Sequence, residues 1–93
     1  MTSQDLGEVL ALQGEGYPAA LHDSADAFLS RMALAPALNL VAHQGGDLRG
    51  YLVSHPWAAG SPPPVNSVLP PTAPQACWYV HDLSVAEAAR GLG

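Results

Sequence analysis

The side chains best suited to chemistry lie near the end of the chain, between Cys77 and Gly93. His81 is a candidate general base, because imidazole titrates near neutral pH, and Asp82 follows it directly. Strand alternation predicts that Tyr79 and His81 lie on one face and Asp82 on the other, accepting backbone hydrogen bonds. A histidine within an apolar strand is more often a hydrogen-bonded structural residue, so the catalytic role of His81 has a structural alternative.

The same segment ends on Arg90, Gly91, Leu92 and Gly93. Glycines let a backbone approach a ligand closely, and free N–H groups at the start of a helix bind phosphate. The pattern therefore predicts a diphosphate site where a helix follows this turn. The alternative is a simple helix N-terminus.

The strand and turn together resemble the signature of the GNAT superfamily of N-acetyltransferases. In that signature a strand ends in a hydrophobic-small-hydrophobic triplet, and four residues later an R/Q-x-x-G-x-G/A loop begins. Here the triplet is Leu83-Ser84-Val85, residues 86–89 intervene, and residues 90–93 supply R-x-x-G. The H-D-L-S-V wording of residues 81–85 is also typical of a bacterial branch of that superfamily.

The resemblance implies transfer of an acetyl group from acetyl-CoA to an amine-bearing acceptor that the sequence does not identify. Main-chain groups of the triplet, Leu83, Ser84 and Val85, would pair with the pantetheine arm, and the segment Arg90, Gly91, Leu92 and Gly93 would wrap the pyrophosphate. His81 is the candidate base for the amine proton. The structural alternative for the triplet is an ordinary strand end in the core.

The resemblance covers only the first half of such a domain, so we expect residues 1–93 to be a partial GNAT fold. The opening strand and the C-terminal half would be missing. We therefore expect this chain by itself to bind coenzyme A weakly or not at all, and to be inactive or dependent on a partner. The alternative is a non-catalytic remnant that self-associates, or binds another protein, through an exposed edge strand at Trp78–Val85.

The elements that position these residues are those of an α/β (α+β) fold with two N-terminal helices and a three-stranded, mainly antiparallel sheet. Thr2 or Ser3 can cap a first helix that ends near Gly14. Asp23 or Ser24 can cap a second helix.

The strands are predicted from alternating apolar residues at Leu38–Ala42 and Arg49–Ser54. Gly45 and Gly46 lie between them and permit the positive φ of a tight hairpin turn. A Pro-rich connection at residues 56–75 carries seven of the nine prolines and should exclude regular sheet. It is either a lid or an expanded hairpin loop, with a Pro-rich ligand for an aromatic groove as a weaker third interpretation.

Composition excludes several classes of function. Three Lys+Arg against eight Asp+Glu cannot form a basic face for nucleic acid or an anionic membrane. No secretory signal or long apolar run is visible, which predicts a cytoplasmic protein. The four histidines fit no recurrent ligand spacing, so no metal is predicted, and Cys77 is expected to be a small buried hydrophobe. The charged fraction of 12% is low, and with an exposed edge it favours a homo-oligomer.

Overall fold

The fold consists of two helices packed on one face of a three-stranded antiparallel sheet, as predicted. A computed structural model of the chain describes residues 1–89. The elements in chain order are α1 (Leu6–Gly16), α2 (Ala25–Leu34), β1 (Leu40–Gln44), β2 (Asp47–Trp57) and β3 (Cys77–Val85).

Helix α1 follows a short 3-10 turn at Ser3–Asp5 and continues two residues beyond the expected end at Gly14. Helix α2 begins where predicted, because the Ser24 hydroxyl accepts a hydrogen bond from the Ala27 N–H at 3.2 Å. It ends at Leu34, before the proline at position 36. Among residues 1–89 there is no helix with the length and apolar character that a membrane span requires.

The sheet has the strand order β1-β2-β3, so β3 is an edge strand of the described sheet. The hairpin between β1 and β2 turns at Gly45 and Gly46, whose φ angles of 61° and 88° only glycine adopts easily. Both residues of the turn therefore have the positive φ that the sequence predicted.

The hydrophobic core lies between the helices and the inner face of the sheet. Val9, Phe28 and Val53 are fully buried, and the rings of Phe28 and Tyr51 meet edge to face at 5.9 Å. Burying each of these side chains contributes roughly 1.5–3 kcal/mol. The opposite face of the sheet carries exposed apolar side chains instead, with Leu40 at 48% exposure.

Two local expectations are wrong. Pro56 belongs to regular sheet, because β2 continues to Trp57 and Pro56 pairs with Trp78. It lies beyond Leu52, where β2 stops pairing with β1, so one side of β2 is unpaired there and a missing donor is tolerated. Cys77 is exposed rather than buried, since it opens β3 at the rim of the sheet, and its thiol contacts the Trp57 carbonyl at 3.4 Å.

The Pro-rich connection packs along α2. The Leu69 side chain is buried, and its N–H donates to the Ser30 hydroxyl at 2.9 Å. The Asn66 side chain accepts from the Ser24 N–H at 2.7 Å. The connection is thus attached to the N-cap and to the middle of α2, close to the residues described below.

Asn39 joins β2 to the end of α2. Its side-chain amide accepts from the Ser54 N–H at 3.0 Å and donates to the carbonyls of Ser54 and Ala35 at 3.0 and 2.8 Å. The Asn39 side chain is fully buried. It bonds both backbone groups of Ser54, as a paired strand residue would, beyond the point where β1 pairs with β2.

We predict that Asn39→Ala lowers the free energy of unfolding by about 2–4 kcal/mol, because it leaves buried backbone groups of Ser54 and Ala35 without partners. Urea denaturation measures this change. Leu38→Ala is the matched control, since that exposed side chain makes no such bonds. A loss below about 0.5 kcal/mol for Asn39→Ala would show that water replaces the amide.

Candidate functional site

A β-bulge in β3 gathers polar side chains beneath the helices. Val53 pairs with Asp82, and the next residue of β2, Ser54, pairs with Val80, so His81 is the extra residue. The bulge breaks the alternation of the strand. The expectation that Asp82 lies on the face opposite to His81 is therefore wrong: Asp82 is 9% exposed and is paired with buried Val53 on the helix-covered face.

His81 is held by Asp23, which lies just before α2. His81 Nε2 donates to Asp23 Oδ2 at 2.6 Å, and the two side chains are 9% and 2% exposed. The neutral imidazole then has its lone pair on Nδ1. His81 Nδ1 is buried and has no hydrogen-bond partner among residues 1–89.

Asp23 is itself fixed from three sides. Its carboxylate also accepts the Asn66 N–H at 2.6 Å, and its backbone exchanges two hydrogen bonds with the Gln13 side chain, at 2.8 and 2.9 Å. Burial by itself would raise the pKa of the Asp23 carboxyl, but the bonds from His81 and Asn66 outweigh it and hold the pKa below its usual value. Asp23 therefore remains an anion beside His81 at neutral pH.

Asp82 accepts a side-chain hydrogen bond rather than the backbone bonds expected for it. The Tyr51 hydroxyl donates to Asp82 Oδ2 at 2.6 Å, and burial together with this carboxylate raises the pKa of Tyr51. The second oxygen, Asp82 Oδ1, is buried without a partner among residues 1–89. The Asp82 carboxylate also lies close enough to the Tyr17 hydroxyl to raise the pKa of Tyr17.

These side chains surround a small pocket of about 140 Å³. Polar groups of Asp23, His81 and Asp82 line it together with the Tyr17 ring. Two exposed apolar side chains complete it, one from the turn before α2 and one from the Pro-rich connection: Leu21 and Val65.

Arg31 of α2 lies in the same polar layer but is turned away from the pocket. The guanidinium is fully buried and donates to His55 Nε2 at 2.9 Å and to the Pro64 carbonyl at 3.4 Å. His55 Nδ1 donates to the Pro56 carbonyl at 2.9 Å, so Nε2 has the lone pair that Arg31 needs. The Tyr79 ring lies between His55 and His81, with centroids 5.5 and 6.0 Å from theirs.

The predicted cofactor triplet lies at the open edge of the sheet, directly after Asp82. The Ala86 N–H donates to the Arg49 carbonyl at 2.7 Å, so alternation in an antiparallel ladder turns Ser84 main-chain groups toward β2 and those of Leu83 and Val85 away from it. The Tyr17 hydroxyl donates to the Leu83 carbonyl at 3.4 Å from that outer side.

The triplet side chains alternate in burial along the strand. Ser84 is buried, whereas Leu83 and Val85 are 63% and 40% exposed. A Cβ at Gly50 would lie 3.1 Å from the Ser84 carbonyl oxygen, so a larger residue there would have to push the two strands slightly apart. The remaining predicted cofactor residues, Arg90, Gly91, Leu92 and Gly93, lie outside the described residues.

Sequence reasoning found His81 and the triplet but missed the partners that surround them. Asp23 was recognised only as a possible helix cap, and Ser24 takes that role. Tyr17 contacts the edge strand through its hydroxyl. Neither contact has a short-range signal, because 58 and 66 residues separate the bonded partners.

Comparison with protein-family models, with curated proteins and with solved structures found no match. The fold and the pocket geometry therefore carry the functional argument, and the resemblance to GNAT acetyltransferases stays a prediction.

We predict that the His55 imidazole titrates below its ordinary pKa of about 6.5, because burial disfavours its charged form and Arg31 adds to the effect. Between the folded and unfolded pKa values the unfolded chain binds more protons, so stability should fall as pH is lowered through this window. Imidazole NMR titration measures the pKa directly. A value at or above 6.5 would contradict the assigned Arg31–His55 hydrogen bond.

Proposed function

We propose that this chain binds acetyl-CoA along the outer edge of β3 and belongs to an N-acetyltransferase of the GNAT type. The observation that supports this most directly is the direction of the backbone. Leu83 points its main-chain groups away from β2, as an edge must in order to pair with an extended ligand. A pantetheine arm carries amide groups that can pair with such an edge.

The reaction would transfer the acetyl carbon from sulfur to the amine nitrogen, so a C–N bond forms, the C–S bond breaks and the thiolate leaves. Acetyl-CoA supplies the activated acyl group. The protein has to align the amine with the thioester, polarise the carbonyl with a main-chain N–H and accept the amine proton. The pocket adjoins Leu83 through Tyr17, which brings an acceptor site and the cofactor edge together.

His81 is the candidate for accepting the proton. Asp23 fixes the orientation of the ring, a role that a carboxylate has beside a catalytic histidine. His81 Nδ1 is the atom with the free lone pair, and it is buried in this conformation. His81 lines the pocket, so a bound amine would approach the ring there.

A titration with acetyl-CoA up to millimolar concentration, followed by amide NMR shifts, tests the proposal. We expect weak, saturable binding that perturbs Leu83 more than the inward-facing Ser84. Leu83→Pro removes one outward N–H and should weaken binding about fivefold or more, since a hydrogen bond contributes roughly 1 kcal/mol.

Leu83→Ala is the matched control for the cofactor test, because it removes the side chain and keeps the N–H. It should bind acetyl-CoA nearly as the parent chain does. No shift at the β3 edge at millimolar acetyl-CoA, or equal losses for the two variants, would argue against cofactor pairing at Leu83.

A second candidate function is association with another copy through β3. It is supported by apolar side chains on the face of the sheet away from the helices, where Trp78, Val80 and Leu83 are 48%, 56% and 63% exposed. An apolar edge strand of this kind is a template for further strand pairing.

Under this second function we expect sedimentation to detect dimers or larger species of the parent chain. Val80→Lys should shift them toward monomer, because charge on an edge strand opposes pairing. Leu29→Lys adds the same charge at an exposed position of α2 and is the control. A parent chain that stays monomeric at high concentration would eliminate this candidate.

A further inference from the structure

We propose that the pocket between Tyr17, Asp82 and Val65 binds a small aliphatic ammonium ion. Two polar atoms of residues beside it are left without partners by the fold. Asp82 Oδ1 and His81 Nδ1 are both buried and unbonded among residues 1–89, and both residues line the pocket. Buried polar atoms normally have a partner, so a ligand that donates hydrogen bonds is indicated.

The available groups are acceptors. Asp82 Oδ1 is a carboxylate oxygen, and neutral His81 offers a lone pair at Nδ1 because Nε2 donates to Asp23. The Tyr17 hydroxyl lies near both the Leu83 carbonyl and the Asp82 carboxylate, and its oxygen has lone pairs that can accept a further hydrogen bond. A primary ammonium has three N–H donors and no acceptor, which complements this set.

Charge favours a cation over a neutral donor. Asp82 has no ion-pair partner among residues 1–89, and the buried Arg31 points to His55 and Pro64 instead. The charge of Arg31 acts on Asp82 without an ion-pair contact, and a bound cation in contact with the carboxylate would further offset the cost of its burial. The carboxylate of Asp23 lies on the same pocket and adds to the attraction for a cation.

Size restricts the ligand. The pocket of about 140 Å³ holds roughly four to five water molecules at ~30 Å³ each. A chain of three or four carbons fits beside Leu21 and Val65, whereas a sugar ring does not. The role of this amine as the acetyl acceptor rests on the proposed function, whereas the binding of the ammonium ion does not depend on it.

The test is an NMR titration of the full chain with propylammonium chloride at constant ionic strength. We expect saturable shifts at Leu21, Val65, His81 and Asp82. 1-Propanol, a neutral molecule of the same shape, should produce none of these shifts. Protonated glucosamine, a bulkier cation, should produce none either. Equal shifts with 1-propanol, or no saturable shift with propylammonium, would overturn the proposal.

Asp82→Asn should weaken propylammonium binding tenfold or more, because it removes the charge that meets the ammonium. Asp47→Asn is the matched control, since it removes the same charge at an exposed position outside this pocket. Equal losses in the two variants would show that only net charge matters.

Two surface variants test the pocket without changing Asp82, in case Asp82→Asn disturbs the fold. Val65→Trp should block the pocket with Asp82 intact, and Val68→Trp is its control, because Val68 is 64% exposed and does not line the pocket. Unchanged propylammonium binding by Val65→Trp would place the ligand elsewhere.

The acetyl-CoA titration separates the two proposals. Propylammonium binding without cofactor binding would support the pocket and remove the transferase function. Cofactor binding without propylammonium binding would support the transferase function and overturn the proposed ammonium site.

Discussion

The carboxylate of Asp23 is the interaction on which the rest of the structure depends. The carboxylate accepts hydrogen bonds from His81 Nε2 of the edge strand and from the Asn66 N–H of the Pro-rich connection. The backbone of Asp23 is hydrogen-bonded to the Gln13 side chain of α1. One buried anion thus links both helices, the connection and β3. Removing the carboxylate would leave two donors unpaired, the His81 Nε2–H and the Asn66 N–H, a greater cost than the loss of one surface ion pair.

The bulge at His81 determines what this anion can contact. One extra residue in β3 turns Asp82 toward the helices while His81 still reaches Asp23. A regular strand would place adjacent side chains on opposite faces, and the pocket would lose either its carboxylate or its imidazole. Bulges of this kind often lie beside functional sites, where they redirect a side chain. The bulge therefore accounts both for the pocket lined by Asp23 and Asp82 and for the outward direction of the Leu83 main-chain groups.

The two faces of the sheet have an unusual distribution of polarity. The helix-covered face buries Tyr51, His55 and Asp82, together with the guanidinium of Arg31. The other face exposes apolar side chains such as Leu40. A small domain gains less from burial than a large one, so this chain depends on satisfied buried hydrogen bonds more than its apolar content suggests.

The sequence by itself determined the helices, the Gly45-Gly46 hairpin and the β3 triplet, because capping, turn chemistry and alternation act over a few residues. Only the tertiary structure decided that Asp23 meets His81, 58 positions away, and that the bulge carries Asp82 to the inner face. Contacts at that separation depend on how whole elements pack, and a bulge depends on strand pairing rather than on local preference. The pocket is therefore a property of the fold, whereas its chemistry was already present in the side chains of β3.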